Sequence, residues 1–323
     1  MQNFKNKTIL VTGSAGFIGF HTAKKLLEMG VFVIGLDNFN DYYDPNLKEA
    51  RNKILEQNSN YKLYRGDLSD EVFINKVFKE NKIDKVCHLA AQAGVRYSLV
   101  NPNAYVKSNL VGFVNILEAV RHNNVKDFVY ASSSSVYGNN KKIPFSVDDQ
   151  VNEPISLYAA TKKSNELLAY SYHHLFGINA TGLRFFTVMG PFGRPDMAPM
   201  LFADAISKGE TIKVFNFGKM RRDFTYVEDI VDGIILSLDQ VKDYHIFNLG
   251  NNKPVELEYF ISCIENELGK TAIKQYLEMQ PGDVPETFAD IEYTKINLGW
   301  EPKKSIEESV SLFVKWYKEY FKK

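Results

Sequence analysis

The chain has 323 residues, more than one small compact domain takes and enough for a large α/β unit or for a dinucleotide-binding domain with a smaller partner. It is 45% hydrophobic and 24% charged, ordinary values for a globular chain, and Lys plus Arg balance Asp plus Glu at 39 each, so no global field draws in nucleic acid or an anionic membrane. Two cysteines without a CxxC pair, Cys87 and Cys263, argue against a disulfide scaffold or a structural zinc site and read as buried apolar residues of a reducing compartment. No run approaches the roughly 20 apolar residues of a membrane span. The opening MQNFKNKTILVTG has no leader pattern, so a cytoplasmic location is expected.

The first apolar run, TILVT (Thr8–Thr12), reads as a strand and leads at once into TGSAGFIG (Thr12–Gly19) and a helical pattern over Phe17–Met29. Gly13, Gly16 and Gly19 let the backbone turn sharply and approach a pyrophosphate at the helix N-terminus, where unpaired N–H groups and the dipole favour an anion. A second strand, VFVIGL (Val31–Leu36), closes on Asp37, about twenty residues past the glycine loop, where a carboxylate accepts the hydroxyls of an adenosine ribose. The same charge repels a 2′-phosphate, which predicts NAD over NADP. NFNDYYDPN (Asn38–Asn46) follows as a loop whose Asp and Asn content is turn chemistry. Strand KLY (Lys62–Tyr64) leads to GDLSD, which puts Asp67 and Leu68 beside the adenine edge. Next come a helix at Glu71–Glu80, strand KVCHLA (Lys85–Ala90) and a long helix at Ala104–His122. Strand FVYAS (Phe128–Ser132), a second long helix at Tyr158–Phe176 and strand ATGLRFF (Ala180–Phe186) complete the series.

Strands apolar on both faces, alternating with helices, predict an α/β fold with a Rossmann-type, doubly wound parallel sheet. Beyond Phe186 the elements shorten, and Gly and Pro cluster in MGPFGRPDMAP (Met189–Pro199), as in a smaller, mixed α/β C-terminal substrate-binding domain. The expected division is 1–184 plus roughly 225–267 for the NAD-binding domain and 185–224 plus 268–323 for the substrate domain.

Two more stretches carry chemistry. ASSSSVYG (Ala131–Gly138) sets four serines at the end of an apolar strand, and YAATK (Tyr158–Lys162) opens a helix with Tyr158 and Lys162 one turn apart on one face. A phenol with a pKa of ~10 is a poor base at neutral pH. An ammonium beside it and a cationic nicotinamide stabilise the phenolate. His173 and His174 point about 100° apart on a helix, unsuited to sharing a metal, and no metal site is expected.

Taken in order, TGSAGFIG, Asp37, GDL, HLAAQAG, ASSSSVYG, YAATK, LRFF and RRDFTYVEDI resemble the nucleotide-sugar branch of the extended short-chain dehydrogenase/reductase superfamily over nearly the whole chain. AAQAGVRYSLVNP (Ala90–Pro102), RFFTVMGPFGRPDMA (Arg184–Ala198), MRRDFTYVEDI (Met220–Ile230) and MQPGDVPETFAD (Met279–Asp290) are closely similar to the UDP-glucuronate 4-epimerases, with TVMG where TVYG is usual. The resemblance implies that Phe17, Ile18 and Asn38 join the glycine loop and Asp37 around a tightly bound NAD. It adds Ala90, Ala91, Ala93, Asn109 and Lys162 to the same cofactor. It further implies that Ser133 hydrogen-bonds the reacting sugar hydroxyl and that Tyr158 takes the C4 hydroxyl proton while NAD+ takes the hydride. The 4-keto sugar then turns over before hydride returns to its other face. Related 4,6-dehydratases carry an Asp-Glu pair before VYG, and UDP-glucuronate decarboxylases a Glu immediately before it. Hydroxyls at Ser134 and Ser135 therefore point to epimerisation and away from elimination.

A 4-keto uronic acid is a β-keto acid prone to lose CO2, so an epimerase using it must keep the carboxylate out of line with the carbonyl π system. Ser134, Ser135, Thr187 and Arg194 are the candidates, with Arg194 either gripping the carboxylate or serving as a loop residue in an ion pair. Arg222 is expected at the diphosphate and Asp283 near the ribose or diphosphate. Arg96 either lines the sugar pocket or makes a structural ion pair, and Phe215 either lies against the uracil or belongs to the core. Gln280 stands where UDP-galactose 4-epimerases tend to have a second diphosphate Arg, which disfavours a neutral sugar. The expected activity is NAD-dependent 4-epimerisation of UDP-glucuronate to UDP-galacturonate, in surface polysaccharide synthesis. The alternatives are the same chemistry on neutral or N-acetylated UDP-hexoses, a UDP-glucuronate decarboxylase, and a non-catalytic NAD-binding regulator. Members commonly pair through two long helices, here Ala104–His122 and Tyr158–Phe176, so a homodimer with a four-helix interface is expected.

Overall fold

In the computed structural model, which describes residues 4–279 and 284–322, the first six strands in chain order are β1 (Thr8–Thr12), β2 (Phe32–Asp37), β3 (Tyr61–Arg65), β4 (Lys85–His88), β5 (Asp127–Ser133) and β6 (Asn179–Phe185). They are followed by β7 (Thr187–Met189), β8 (Thr211–Phe215), β9 (Arg221–Tyr226), β10 (Tyr244–Leu249), β11 (Pro254–Glu256) and β12 (Ile273–Leu277). One seven-stranded sheet has the order β3-β2-β1-β4-β5-β6-β10, with every neighbouring pair parallel. This is the doubly wound Rossmann order with one strand added. The chain builds outward from β1 to β3, then returns to lay β4 on the other side of β1, and that reversal opens a crevice at the strand ends.

Successive side chains of a strand face opposite sides, and helices cover both sides here, so β1 is buried along its length. Ile9 and Val11 pack with Phe20 and Leu26 of helix Phe17–Glu28 and with Ile230 and Ile234 of helix Val227–Gln240. Leu10 packs on the other face with Ile74 and Val77 of helix Glu71–Glu80 and with Phe113 and Ile116 of helix Gly112–His122. Each such buried aliphatic side chain stabilises by about 1.5–3 kcal/mol relative to exposure. The helices start where side chains replace missing backbone partners. Asp70 accepts the Phe73 N–H at 3.0 Å and Ser156 the Ala159 N–H at 3.1 Å, while Gly177, at φ 64°, ends helix Leu157–Phe176.

Three expectations change. The long helix at 104–122 is present as an unbroken helical run over Pro102–His122, but its middle, Val106–Val111, is π-helical. The loop at 38–46 ends early, because Asp44 accepts the Asn46 N–H at 2.9 Å and Pro45 takes the first position of helix Pro45–Leu55. Strand β4 stops at His88, which leaves 89–93 to form a wall of the crevice.

The smaller part holds a three-stranded sheet, β11-β9-β7, and the pair β12-β8. Its core joins Met200 and Phe202 of helix Ala198–Lys208 to Phe224, Phe260, Phe313 and Val314. Helix Leu257–Leu268, expected with the NAD-binding domain, packs in this core, whereas Leu298 and Trp300, expected with the substrate domain, pack in the core beneath the large sheet. Among the described residues no helix is long and apolar enough to cross a membrane, and no group of three or more His, Cys, Asp or Glu is arranged to hold a metal ion. Both cysteines are buried thiols.

Candidate active site

At the end of β1 the backbone comes too close to its neighbours for side chains. Gly13 has φ 71°, and a Cβ there would stand 2.9 Å from the Ala90 backbone; one on Gly19 would stand 2.0 Å from the Gly13 carbonyl oxygen. Gly16 caps helix Phe17–Glu28 without a side-chain bond, so the first-turn N–H groups meet the crevice with no partner supplied by a cap. Asp37, only 8% exposed, accepts the Ala15 N–H on Oδ2 at 3.1 Å and the Phe39 N–H on Oδ1 at 2.9 Å, and each oxygen retains a lone pair. Asn38 donates to Asp67 at 3.1 Å. Burial works against the Asp67 charge, but hydrogen bonds from the Ser69 side chain and backbone and from Asn38, with the Lys107 charge, hold its pKa below the usual carboxylate range.

Gly13, Gly16, Phe17, Ile18 and Gly19 line one cleft with Asp37, Asn38, Asp67 and Leu68. Ala90, Ala91, Ala93 and Arg194 line it too. A helix end directed at an anion, with an acid at the end of the next strand, fits a dinucleotide such as NAD. Asn109 stands behind this wall rather than in it. Fully buried in the π-helical stretch, it accepts the Gln92 N–H at 2.8 Å and donates to the Gln92 carbonyl and to Thr161 Oγ1, both at 3.0 Å. Both its N–H donors are engaged, so it braces the 89–93 wall against helix Leu157–Phe176.

Strand β5 delivers the first two serines of the row, Ser132 and Ser133, and the two face different neighbours. Ser132 turns inward and donates to Glu166 at 2.7 Å, where Arg184 forks both carboxylate oxygens at 2.8 and 2.9 Å. Burial works against the Glu166 charge, but Arg184 holds its pKa below the usual carboxylate range. Arg184 also donates to the Tyr137 hydroxyl at 3.0 Å, and Tyr137 donates to Asn248 at 2.6 Å. Ser133 accepts the Ser135 N–H at 3.1 Å and hydrogen-bonds the Tyr158 phenol. Ser134 and Ser135 are half-buried in the turn Ser134–Tyr137.

Lys162, 3% exposed, donates to the Ala131 carbonyl at 2.8 Å, and burial lowers its pKa to about 8. The expected lowering of the Tyr158 pKa is not found in the protein by itself. Burial raises it, against the Ser133 hydrogen bond and the Arg194 charge. A cationic nicotinamide is the further positive charge that this arrangement can use.

A family model described as GDP-mannose 4,6 dehydratase matches residues 10–313. The chain belongs to this family. Within it the chain lies in the nucleotide-sugar epimerase branch of the short-chain dehydrogenases/reductases. UDP-glucuronate 4-epimerase 4 of Arabidopsis thaliana is 46% identical over 332 residues, which cover 97% of this chain and 76% of that protein. The structure of UDP-glucuronic acid 4-epimerase from Bacillus cereus in complex with UDP-glucuronic acid and NAD matches with a TM-score of 0.91 at 34% identity, over 97% of this chain and 99% of that one. UDP-glucose 4-epimerase from Thermotoga maritima with UDP-glucose matches with a TM-score of 0.89 at 31% identity, over 97% and 99%.

Of the remaining family-motif residues that the structure describes, Arg194 lines the cleft, and Thr187, Arg96, Phe215 and Arg222 do not. Thr187 opens β7 half-buried, in register with Phe224 of β9. Arg194 forks Asp196 through Nε at 3.0 Å and through Nη2, so it makes the loop ion pair while its charge also acts on the Tyr158 phenol. The Arg96 guanidinium lies 5.2 Å from the Phe215 ring centroid, so the two residues with open alternatives cover each other. Arg222 donates to the carbonyls of Arg221 and Pro285 at 3.0 and 3.1 Å. Asp283 and Gln280 lie outside the described residues. Tyr42, Lys48 and Gln92 also line the cleft, although sequence reading passed over them. Asp44-Pro45, a cap followed by an N1 proline, was the available signal that a helix begins there and brings Lys48 inward.

Proposed function

We propose that this protein is an NAD-dependent UDP-glucuronate 4-epimerase, producing UDP-galacturonate in the cytoplasm. Family membership supports a nucleotide-sugar epimerase, and the observation that carries the uronate reading is Arg194, a guanidinium on the cleft wall whose charge reaches the Tyr158 phenol. Bound in the cleft, NAD would take hydride from the sugar C4 and return it. Tyr158 takes the C4 hydroxyl proton and gives it back. Ser133 accepts a backbone N–H on Oγ and so keeps its own proton to donate toward Tyr158 or the sugar. Lys162 stays largely protonated at neutral pH and favours the phenolate. Ser134, Ser135, Thr187 and Arg194 hold the sugar carboxylate, and hydroxyls at 134 and 135 do no strong acid–base work at neutral pH. Arg222, Phe215 and Asp283 take the UDP half, and Arg96 lines the sugar pocket.

One observation favours a second reading, 4-epimerisation of neutral or N-acetylated UDP-hexoses: Asp196 already pairs with Arg194. The deciding experiment is proton NMR of purified protein with UDP-glucuronate and no added cofactor. UDP-galacturonate growing in without UDP-pentose supports the uronate epimerase. An untouched uronate alongside turnover of UDP-glucose or UDP-GlcNAc would transfer the assignment to the neutral sugars.

We further propose a homodimer through helices Gly112–His122 and Leu157–Phe176, because Val106 and Val111 on the π-helical stretch that leads into the first, and Leu167, Tyr170 and Leu175 on the second, are exposed apolar residues. Leu167→Glu should halve the mass measured by light scattering. An unchanged mass would place the interface elsewhere.

A further inference from the structure

Two loops meet at the dinucleotide cleft, the 38–44 loop after β2 and the 190–197 segment after β7, and side chains on opposite sides join them. On the outer side the Tyr42 hydroxyl donates to Asp196 Oδ2 at 2.9 Å, and Asp196 takes the Nε and Nη2 edge of Arg194. The same guanidinium lies 5.8 Å from the Tyr42 ring centroid. On the inner side, the fully buried Arg51 donates to the Tyr43 hydroxyl at 2.8 Å, to the Phe192 carbonyl at 2.7 Å and to the Ala15 carbonyl of the glycine loop at 2.9 Å. His21, on the first helix, hydrogen-bonds the Pro191 carbonyl at 2.8 Å. Adjacent tyrosines of one loop are therefore tied to the other, Tyr42 directly at Asp196 and Tyr43 through Arg51. Each loop also holds a phenylalanine at positive φ, Phe39 at 50° and Phe192 at 56°, a conformation retained only where surrounding contacts impose it.

The polarity of the outer chain is defined. Burial and the neighbouring Asp196 push the Tyr42 hydroxyl up to about 12, so it is a donor at neutral pH. Burial works against the Asp196 charge, but the Arg194 hydrogen bonds and charge, with the Tyr42 hydroxyl, hold its pKa below the usual range, so it is an acceptor. A guanidinium has five N–H groups. Asp196 engages one on Nε and one on Nη2, which leaves the end-on face of Arg194, Nη1 with the second Nη2 proton, for another carboxylate.

We propose that Asp196 and Tyr42 are positioning residues for the carboxylate grip of Arg194, and that Tyr42 ties this grip to the wall of the dinucleotide cleft. Asp196 sets the plane of the guanidinium so that its end-on N–H pair meets the sugar carboxylate as a fork. Because Tyr42 lines the cleft as well, the strap that orients Arg194 also closes over the dinucleotide. The carboxylate half of this inference rests on the uronate reading above; the dinucleotide half does not.

The test compares wild type, Asp196→Asn, Asp196→Glu and Tyr42→Phe as purified holoenzymes. Calorimetry gives the Kd of UDP-glucuronate and of UDP-glucose, steady-state assays give KM and kcat, and absorbance gives the dinucleotide retained per protomer after gel filtration. Asp196→Asn is expected to weaken UDP-glucuronate by about tenfold, mostly in KM, and UDP-glucose by less than about twofold, with part of the loss restored in Asp196→Glu. Tyr42→Phe is expected to weaken the uronate by about threefold and to retain less dinucleotide. Equal weakening of both sugars, or tighter uronate binding in Asp196→Asn, overturns the positioning role. Undiminished dinucleotide in Tyr42→Phe overturns the strap. Wild type that binds the two sugars alike and turns over no uronate removes the uronate reading itself, and the carboxylate half with it, while the dinucleotide arm still decides the strap.

Discussion

The dinucleotide cleft and the sugar end are built in different ways. The cleft takes most of its walls from 13–19, 36–38, 66–68 and 89–93, at and just after the ends of β1 to β4 in one sheet, with Tyr42, Lys48 and Arg194 beside them. Its decisive features are backbone ones: glycines where a Cβ would collide, an uncapped helix start, and a carboxylate held by two N–H groups. The sugar end proposed above draws on β5, helix Leu157–Phe176, β7 and the segment around Arg194, and its features are side-chain pairs and protonation states. The difference teaches that a binding function can reside in backbone shape while the chemistry beside it depends on which side chains burial leaves paired.

Damage to the two regions should therefore separate. The largest effect is expected from Tyr158→Phe, which should lower turnover by about 10²–10⁴-fold with the dinucleotide retained; a holoenzyme losing less than tenfold would exclude Tyr158 as the proton acceptor. Glu166→Gln breaks a buried pair beneath the serine row and should destabilise by about 3–5 kcal/mol, read from denaturant melts. A loss under 1 kcal/mol would show that the pair does not hold the sugar end together.

Lys162 tests the protonation side of the comparison. Its folded pKa is lowered to about 8 from 10.5, so between these values the unfolded chain binds the extra proton and stability rises with pH. The gain from this group is roughly 3 kcal/mol across that window. The stability difference between wild type and Lys162→Met should move by that amount between pH 8 and 10.5, and a pH-independent difference would refute the buried, depressed ammonium. At the cleft, Gly19→Ala pushes a Cβ toward the Gly13 carbonyl and should destabilise by about 1–3 kcal/mol. Retained dinucleotide should fall with it, and full retention would mean that the loop is not the anion cradle. The smallest effect is expected from Phe215→Leu, which removes the cation–π contact with Arg96 and should cost about 0.5–1 kcal/mol. A loss well above this would give the Phe215 ring a role beyond its contact with Arg96.

The legibility of the chain follows the same division. β1, the helix at Glu71–Glu80 and the start of the first helix at Phe17 lie where apolar periodicity and capping residues place them, because those signals are local. The helix at 104–122 was legible, but the π-helical stretch inside it leaves no clear periodic mark, and that stretch turns Asn109 toward Gln92 and Thr161 instead of the cleft. Tyr42 and Tyr43 read as turn residues since their partners, Asp196 and Arg51, are 154 and 8 positions away and the first is invisible to any local pattern. The serine row was legible as hydroxyls, with Ser133 singled out through the family resemblance, but the inward pairing of Ser132 with Glu166 was not.

By itself the sequence determined the doubly wound sheet, the dinucleotide loop and the Tyr–Lys pair, because glycine spacing, strand alternation and a four-residue helical step are geometry that the backbone enforces locally. Only the tertiary structure decided how those groups are charged and aimed. It buries Lys162, raises the Tyr158 phenol, pairs Arg194 with Asp196 and engages the Asn109 amide. The physical reason is that desolvation and pairing depend on what the rest of the chain brings within a few ångströms, and those neighbours come from segments far apart in the sequence.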